Sequence, residues 1–539
     1  MKRGSFLKGV AVLTAAGIAV KLIGFFYRVI LTNLPGYGDE GNGIYGAGFQ
    51  VYLMLYALST TGFPTAVSRM VAERLATGDR FGAHRVFRIS LRLLFIIGLT
   101  ISLLFFLGSR QIAGLIANQR TFYTMAALSP TIFFTAIMAV LRGYFQGMQD
   151  MAPQAGSQII EQFVKTIFAI LLAYCLLPYG VEISAAGATL GTTIGAAAGT
   201  AYLWNLYSRR KKELWKNIRN RSTAKKRESA GVILINLIKI AIPVSIGALI
   251  LTAANIIDLI TVMRQLERAG VNAETANRLY GILTGKCYVL NNFPVAISAA
   301  LAVNLVPAIA GAAAARNFRA VEGKILASLR VNLLIGLPSA VGMSVLAEPI
   351  LKLLFPNSSD GAYLLSISAF AIIFTGLTQT LSGILQGLGK VFVPALSLFA
   401  GAAVKVLMNF TLMPVPHINI RGAIYGTLAC YMVSTLINMV VLKRNFRLNL
   451  DAYNNIIKPV AAAIVMGISA KYIYSWLLVA LGSNAAATVV SVAASAVIFA
   501  VLVLLLGAVN AKDINALPFG ENVGRMLVKA RLLKGENRC

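Results

Sequence analysis

ISLRLLFIIGLTISLLFFLG, residues 89–108, holds a single charge, Arg92, in its whole length. A bilayer core roughly 30 Å thick is crossed by about 20 helical residues, so this stretch has the length and polarity of one crossing. Arg92 lies near one end, where a long side chain reaches water while its methylenes stay in apolar surroundings. Thirteen further stretches obey the same rule, near residues 9–31, 43–66, 122–146, 154–177, 183–207, 238–262, 281–304, 325–346, 362–386, 391–413, 420–442, 457–480 and 485–507. Their apolarity is continuous, without the period-two alternation of a barrel strand, so helices are expected. Composition agrees: 58% hydrophobic against 13% charged is too apolar for a surface that water must solvate. The chain reads as an all-α integral membrane protein of about fourteen transmembrane helices.

The basic start and apolar run of MKRGSFLKGVAVLTAAGIAV imitate a secretory signal, but Lys21 interrupts the run and the helical pattern continues to Leu31. A retained first helix is the expectation. Cys175, Cys287, Cys430 and Cys539 are widely separated and mostly within predicted helices, which suggests neither a disulfide framework nor a zinc spacing. His84 and His417 are the only histidines, too few for a histidine-based metal site.

A formal net charge of +30 raises the question of nucleic acid, and the placement of the 49 basic residues answers it. They gather in alternate loops, on the side of the N-terminus and the C-terminal tail. The richest stretch is RRKKELWKNIRNRSTAKKRES, residues 209–229. Basic loops mark the cytoplasmic side, so both termini are expected there. The 209–229 loop reads first as an anchor against anionic lipid and second as a docking site. No nucleic-acid-reading module accompanies it.

The sequence also repeats itself. FPTAVS at 63–68 returns as FPVAIS at 293–298, LRGYFQG at 141–147 as LSGILQG at 381–387, and GATLGT at 187–192 as GAIYGT at 422–427, in the same order. Lys165 falls opposite Lys405 at the 240-residue shift of the second pair. Each copy spans six predicted helices, an even number, so the copies are parallel, as in transporters whose halves alternately expose a site at their interface. The expected domains are an N-lobe over 1–230, a C-lobe over 231–445, and a terminal helix pair with a basic tail over 446–539.

Ionisable groups at bilayer depth cost at least about 2.5–3.5 kcal/mol, so each calls for a partner or a wet cavity. Glu161 and Lys165, four apart on one helix, can pair with each other. Lys21 and Arg28 lie two turns apart on one face of the first helix, without an acid in helical reach. Lys286, Lys405 and Lys471 also lack a local partner. If Lys21, Arg28, Lys286 and Lys405 line one cavity, that cavity is cationic and its ligand carries phosphate or carboxylate. Asp258, close to Asn255, either binds a coupling cation, carries a proton, or neutralises a cavity lysine.

The runs FLKGVAVLTAAGIAVKLIGFFYR at 6–28, FPTAVSRMVAE at 63–73 and LRGYFQGMQDMAPQAGSQIIEQ at 141–162 resemble the stage V sporulation protein B family. That family lies in the polysaccharide transporter branch of the multidrug/oligosaccharidyl-lipid/polysaccharide exporter superfamily. The resemblance implies two six-helix lobes plus a terminal pair, alternating access, and the export of undecaprenyl-linked sugars for cell-wall or spore-cortex peptidoglycan. Lipid II flippases of the superfamily have a basic residue followed by a GF pair in helix one, a pattern on which Lys21 and Gly24 fall. A further arginine of theirs is shifted by one residue from Arg28, and their helix-eight arginine is close to a proline, whereas Lys286 precedes Pro294 by eight positions. Sodium-binding members imply Asp258, Asn409 and Thr427 as ligands, although a second aspartate of that pattern is Met413 here.

The resulting expectation is a flippase for an undecaprenyl-pyrophosphate-linked precursor, without a cofactor and with sodium or a proton as coupling ion. Its partners are the anionic lipid-linked oligosaccharide, membrane lipids and cell-wall enzymes, but not nucleic acid. Two rival readings are a cation-coupled multidrug exporter, which wants more acids than this chain offers, and a non-transporting scaffold for wall enzymes. An enzyme is not expected, since GxxxxGK[ST], HExxH and a nucleophile triad are all missing from the sequence.

Overall fold

The computed structural model describes residues 3–507 apart from 61, 222–227, 391, 447–450 and 452. Most of the basic 209–229 stretch, the tail beyond residue 507 and Cys539 therefore lie outside the described side chains. Every described element is helical.

The described residues fall into two compact units, one reaching Gly285 and including Pro414–His417, the other starting at Lys286 and resuming at Ile418. The first contains α1 (Arg3–Thr32), α2 (Gly38–Thr60), α3 (Gly62–Ala76), α4 (Arg80–Leu115), α5 (Phe122–Gly147), α6 (Ala152–Leu176), α7 (Val181–Arg221), α8 (Ala230–Arg268) and α9 (Ala273–Ile282). The second contains α10 (Tyr288–Ala314), α11 (Phe318–Val345), α12 (Ala347–Leu354), α13 (Ala362–Ser368), α14 (Ala371–Gly387), α15 (Phe392–Leu412), α16 (Arg421–Asn445), α17 (Lys458–Leu481) and α18 (Asn484–Leu505). Because the divide falls at Gly285, α8 and α9 pack with the first unit.

Ten helical stretches among the described residues are long and apolar enough to cross a bilayer. The expected crossings at 43–66, 183–207, 238–262 and 281–304 are not among them; those segments form α2 with α3, α7, α8, and a π-helical turn (Leu283–Cys287) leading into α10. The division between α2 and α3 has a local cause. Pro64 lacks an N–H and its ring clashes with the carbonyl four residues back, at Thr60, where α2 ends. Pro130, inside α5, frees the Ala126 carbonyl, and Ser129 Oγ donates to it at 2.8 Å.

Duplication is visible in the packing inside each unit. In the first, a Cβ on Gly143 would lie 2.8 Å from Pro64 O, and one on Gly147 2.8 Å from Ser68 O. In the second, Gly383 meets Ala302 O at 2.6 Å and Gly387 meets Val306 O at 2.8 Å in the same sense. Two glycines four apart let one helix settle on the carbonyls of its neighbour in both units. Likewise Gly191 of α7 lies against Ala169 of α6, and Gly426 of α16 against Asn409 of α15. The Thr131–Thr193 hydroxyl contact of 2.6 Å between α5 and α7 has a parallel in Thr378–Thr435 at 2.9 Å between α14 and α16.

Candidate functional site

Inside the first unit, α1, α2 and α6 surround two half-buried cations with aromatic rings. Gly24 brings α1 against Gln162 of α6, which turns Tyr27 and Leu31 into the unit and leaves Arg28 at the edge of that core. The Arg28 guanidinium carbon lies 4.1 Å from the Tyr45 ring centroid, and Arg28 Nη1 donates to Asn42 Oδ1 at 3.2 Å. Asn42 is itself fixed, since its Nδ2 donates to Thr32 Oγ1 at 2.8 Å and that hydroxyl donates to Arg28 O at 2.8 Å. This closed ring of three polar side chains sets the direction of the guanidinium before any ligand arrives. Asn42 and Thr32 are fully buried, so the arrangement is rigid.

Lys165 reaches the same aromatic group from α6, its Nζ 4.8 Å from the Phe49 centroid and 5.8 Å from that of Tyr27. Tyr45 and Phe49 stack on each other with centroids 5.4 Å apart. Among the described residues neither Arg28 nor Lys165 has a carboxylate within ion-pairing distance. Ring faces stabilise cations by about 0.5–2 kcal/mol without neutralising them. Two positive charges without a carboxylate partner among the described residues therefore border one aromatic group, which suits an anion.

Lys165 was expected to pair with Glu161. Instead Glu161 binds Arg142 of α5, whose Nη2 donates to Glu161 Oε2 at 2.7 Å while its Nε donates to Ser157 Oγ at 2.9 Å. A guanidinium fork from a neighbouring helix satisfies a carboxylate and a hydroxyl together, which an ammonium four residues along the same helix cannot do. The signal that could have singled out Lys165 was its alignment with Lys405.

The other expected residues are dispersed. Lys21 is exposed on α1. Lys286 is fully buried in the second unit at the π-helical turn, where its Nζ donates to Ser358 O, to Ser358 Oγ at 3.1 Å and to Asp360 O at 3.2 Å, beside the Phe355 ring. These three oxygens accept from the ammonium, so in this structure Lys286 holds a loop. Lys405 is buried on α15 against Gly426 of α16, one turn from Asn409. Thr427 donates to Ala423 O at 2.8 Å. Asp258 is buried on α8, within electrostatic reach of Tyr280 on α9, and belongs to the first unit while Asn409 and Thr427 belong to the second. Among the described residues no group of three His, Cys, Asp or Glu side chains could hold a metal ion.

Comparison with known proteins gives the fold and the family. Stage V sporulation protein B of Bacillus subtilis (strain 168) is 27% identical over 538 residues, spanning 98% of this chain and 100% of that protein. Lipid II flippase MurJ of the same organism is 26% identical over 491 residues, 88% of this chain and 89% of that one. Among solved structures, lipid II flippase MurJ in an inward closed conformation superposes with a TM-score of 0.68 at 13% identity, covering 91% of this chain and 98% of that chain. An inward-facing multidrug resistance MATE family transporter gives a TM-score of 0.66 at 17% identity, over 79% and 94% of the two chains. At such identities the structural likeness is one of fold. The chain is a multi-pass membrane protein with the architecture of these transporters. A family model described as MatE matches residues 285–411, and one described as polysaccharide biosynthesis protein matches residues 6–313. Since the latter spans more than half of the 539 residues, the chain belongs to the polysaccharide biosynthesis protein family.

Proposed function

We propose that the chain is a flippase that carries a lipid-linked, pyrophosphate-bearing cell-wall precursor from the inner to the outer leaflet of the bacterial cytoplasmic membrane. One observation carries this reading: Arg28 and Lys165 converge on the Tyr45–Phe49 stack with no carboxylate to neutralise them among the described residues. A diphosphate brings two adjacent anionic centres, and a guanidinium beside an ammonium offers the matching donors. An exporter of cationic drugs would want the opposite sign in this place. The relative named for flipping lipid II, matched over 88% of this chain, supports the same cargo class.

In this mechanism the headgroup sheds water onto the two cations while its polyprenyl chain stays in lipid. Lys21, exposed two turns before Arg28, makes the earlier contact, and Lys405 serves as the second-unit counterpart of Lys165. The duplicated six-helix lobes, 1–230 and 231–445, alternate in opening the site to each side, with both termini cytoplasmic as the basic loops favour. No covalent step is required, so the driving force comes from an ion gradient, the membrane potential or consumption of the product.

The test is reconstitution into liposomes carrying a fluorescent lipid-linked disaccharide on an undecaprenyl diphosphate. Protein-dependent loss of the inner-leaflet signal is expected. A scaffold would leave it untouched, and that outcome ends the proposal.

A further inference from the structure

On the face of α2 turned away from Tyr45 and Phe49 there is a groove of about 420 Å³ between α2, α4 and α8. Its walls are apolar, with Val51 and Met54 from α2, Ile112 and Leu115 from α4, and Ile260 from α8. Met54, Leu115 and Ile260 are 41%, 65% and 41% exposed, so the groove opens to whatever surrounds the helices at this depth, which for a multi-pass membrane protein is lipid. One charge stands at its rim. Arg264, exposed near the end of α8, donates from Nη2 to Leu115 O at 2.7 Å, which caps the last turn of α4 and leaves the remaining guanidinium N–H groups directed outward.

We propose that this groove is a lipid-binding site that takes one acyl chain of an anionic glycerophospholipid, with the phosphodiester on Arg264. Charge selects that occupant. A single guanidinium matches a single phosphodiester, whereas a diphosphate calls for a second cation, which the groove walls do not supply. The groove of about 420 Å³ is apolar and open along one side, so an acyl chain can lie in it while its headgroup reaches Arg264. Since lipid tails are as apolar as the groove walls, the acyl chain gains little by leaving bulk lipid, and the headgroup contact supplies the selectivity. Because α2 carries Asn42 and Tyr45 on its other face, a lipid seated here steadies the helix that orients Arg28.

The experiment compares the full chain in detergent with added phosphatidylglycerol or phosphatidylcholine of identical acyl chains, read as thermal stability by fluorescence-detected size exclusion. Phosphatidylglycerol should raise the melting temperature by several degrees and phosphatidylcholine by clearly less. Arg264→Gln should erase the difference between the lipids, and Arg264→Lys, which keeps the charge, should restore it. Ile260→Trp, which fills the groove from an exposed position, should remove the response to both. Equal stabilisation by the two lipids, a preference that survives Arg264→Gln, or a full response in Ile260→Trp would each overturn the site.

Discussion

Arg28 and Tyr45 form a cation–π pair, guanidinium carbon 4.1 Å from the ring centroid, in which Asn42 accepts from the guanidinium Nη1. The ring lies against the guanidinium carbon while Nη1 donates to Asn42, so the pair holds a charge at membrane depth and keeps further N–H groups as donors. The ring meanwhile takes the place of water that the cation loses.

If that guanidinium and the Lys165 ammonium hold a diphosphate, removing either weakens transport while the protein still inserts. A hydrogen bond to a charged group is worth about 1.5–3 kcal/mol, which corresponds to about a tenfold to a hundredfold fall in flipping for Arg28→Ala or Lys165→Ala. Arg28→Lys should fall between wild type and alanine, since it keeps charge and loses the fork. Initial flipping rates in liposomes, normalised to reconstituted protein, measure this. Undiminished rates in both alanine variants would remove these residues from the site.

Arg142 and Glu161 give a prediction about stability. Both are mostly buried, at 14% and 26% side-chain exposure, and join α5 to α6. Arg142→Ala leaves a carboxylate without its fork and should cost about 1–3 kcal/mol, less than a fully buried pair because some solvent reaches it. The double variant Arg142→Ala with Glu161→Ala should be more stable than Arg142→Ala alone. A melting-temperature cycle in detergent tests it, and strictly additive losses would show that the two do not interact.

Hydropathy made the helical membrane class legible, and short motifs exposed the duplication, because both depend on composition and local spacing. What escaped depends on neighbours in space. FPTAVS and FPVAIS align at a shift of 230, yet Pro64 and Ala302, which receive the equivalent glycines Gly143 and Gly383, are 238 apart. The packing register thus differs from the motif register by about two helical turns, which hydrophobic similarity cannot detect because residues two turns apart share a face. Lys165 was misread for a related reason: the spacing of Glu161 favoured a pair on the same helix, and nothing in the sequence announces Arg142 on α5. Arg28 was legible because no acid is close in sequence, and it has no carboxylate partner among the described residues in space either.

Sodium coupling through Asp258, Asn409 and Thr427 meets an electrostatic obstacle. Lys405 lies one turn from Asn409 on α15, both are buried, and both border Gly426. A lysine one turn from Asn409 on the same buried helix face raises the cost of a cation there, since like charges repel. Flipping rates should therefore be unchanged when potassium replaces sodium on both sides of the liposome. A marked loss without sodium that Asp258→Asn abolishes would restore the three residues as a cation site.

Lys286 separates holding the fold from holding the cargo. Its ammonium gathers Ser358 O, Ser358 Oγ and Asp360 O at the π-helical turn, and the Phe355 ring stands beside it. Lys286→Met fills a similar volume without a donor and leaves those acceptors competing for water, at about 1–3 kcal/mol. The melting temperature should therefore drop with transport per folded protein little changed, in contrast to Arg28→Ala, where transport per folded protein falls further than stability does. Insertions of π-type often accompany functional breaks in helices, so some slowing of total flipping is expected as well, in proportion to the lost stability. If Lys286→Met keeps its melting temperature and loses transport outright, the lysine leaves its loop during the cycle and meets the cargo, and its buried bonds describe only one stage of that movement.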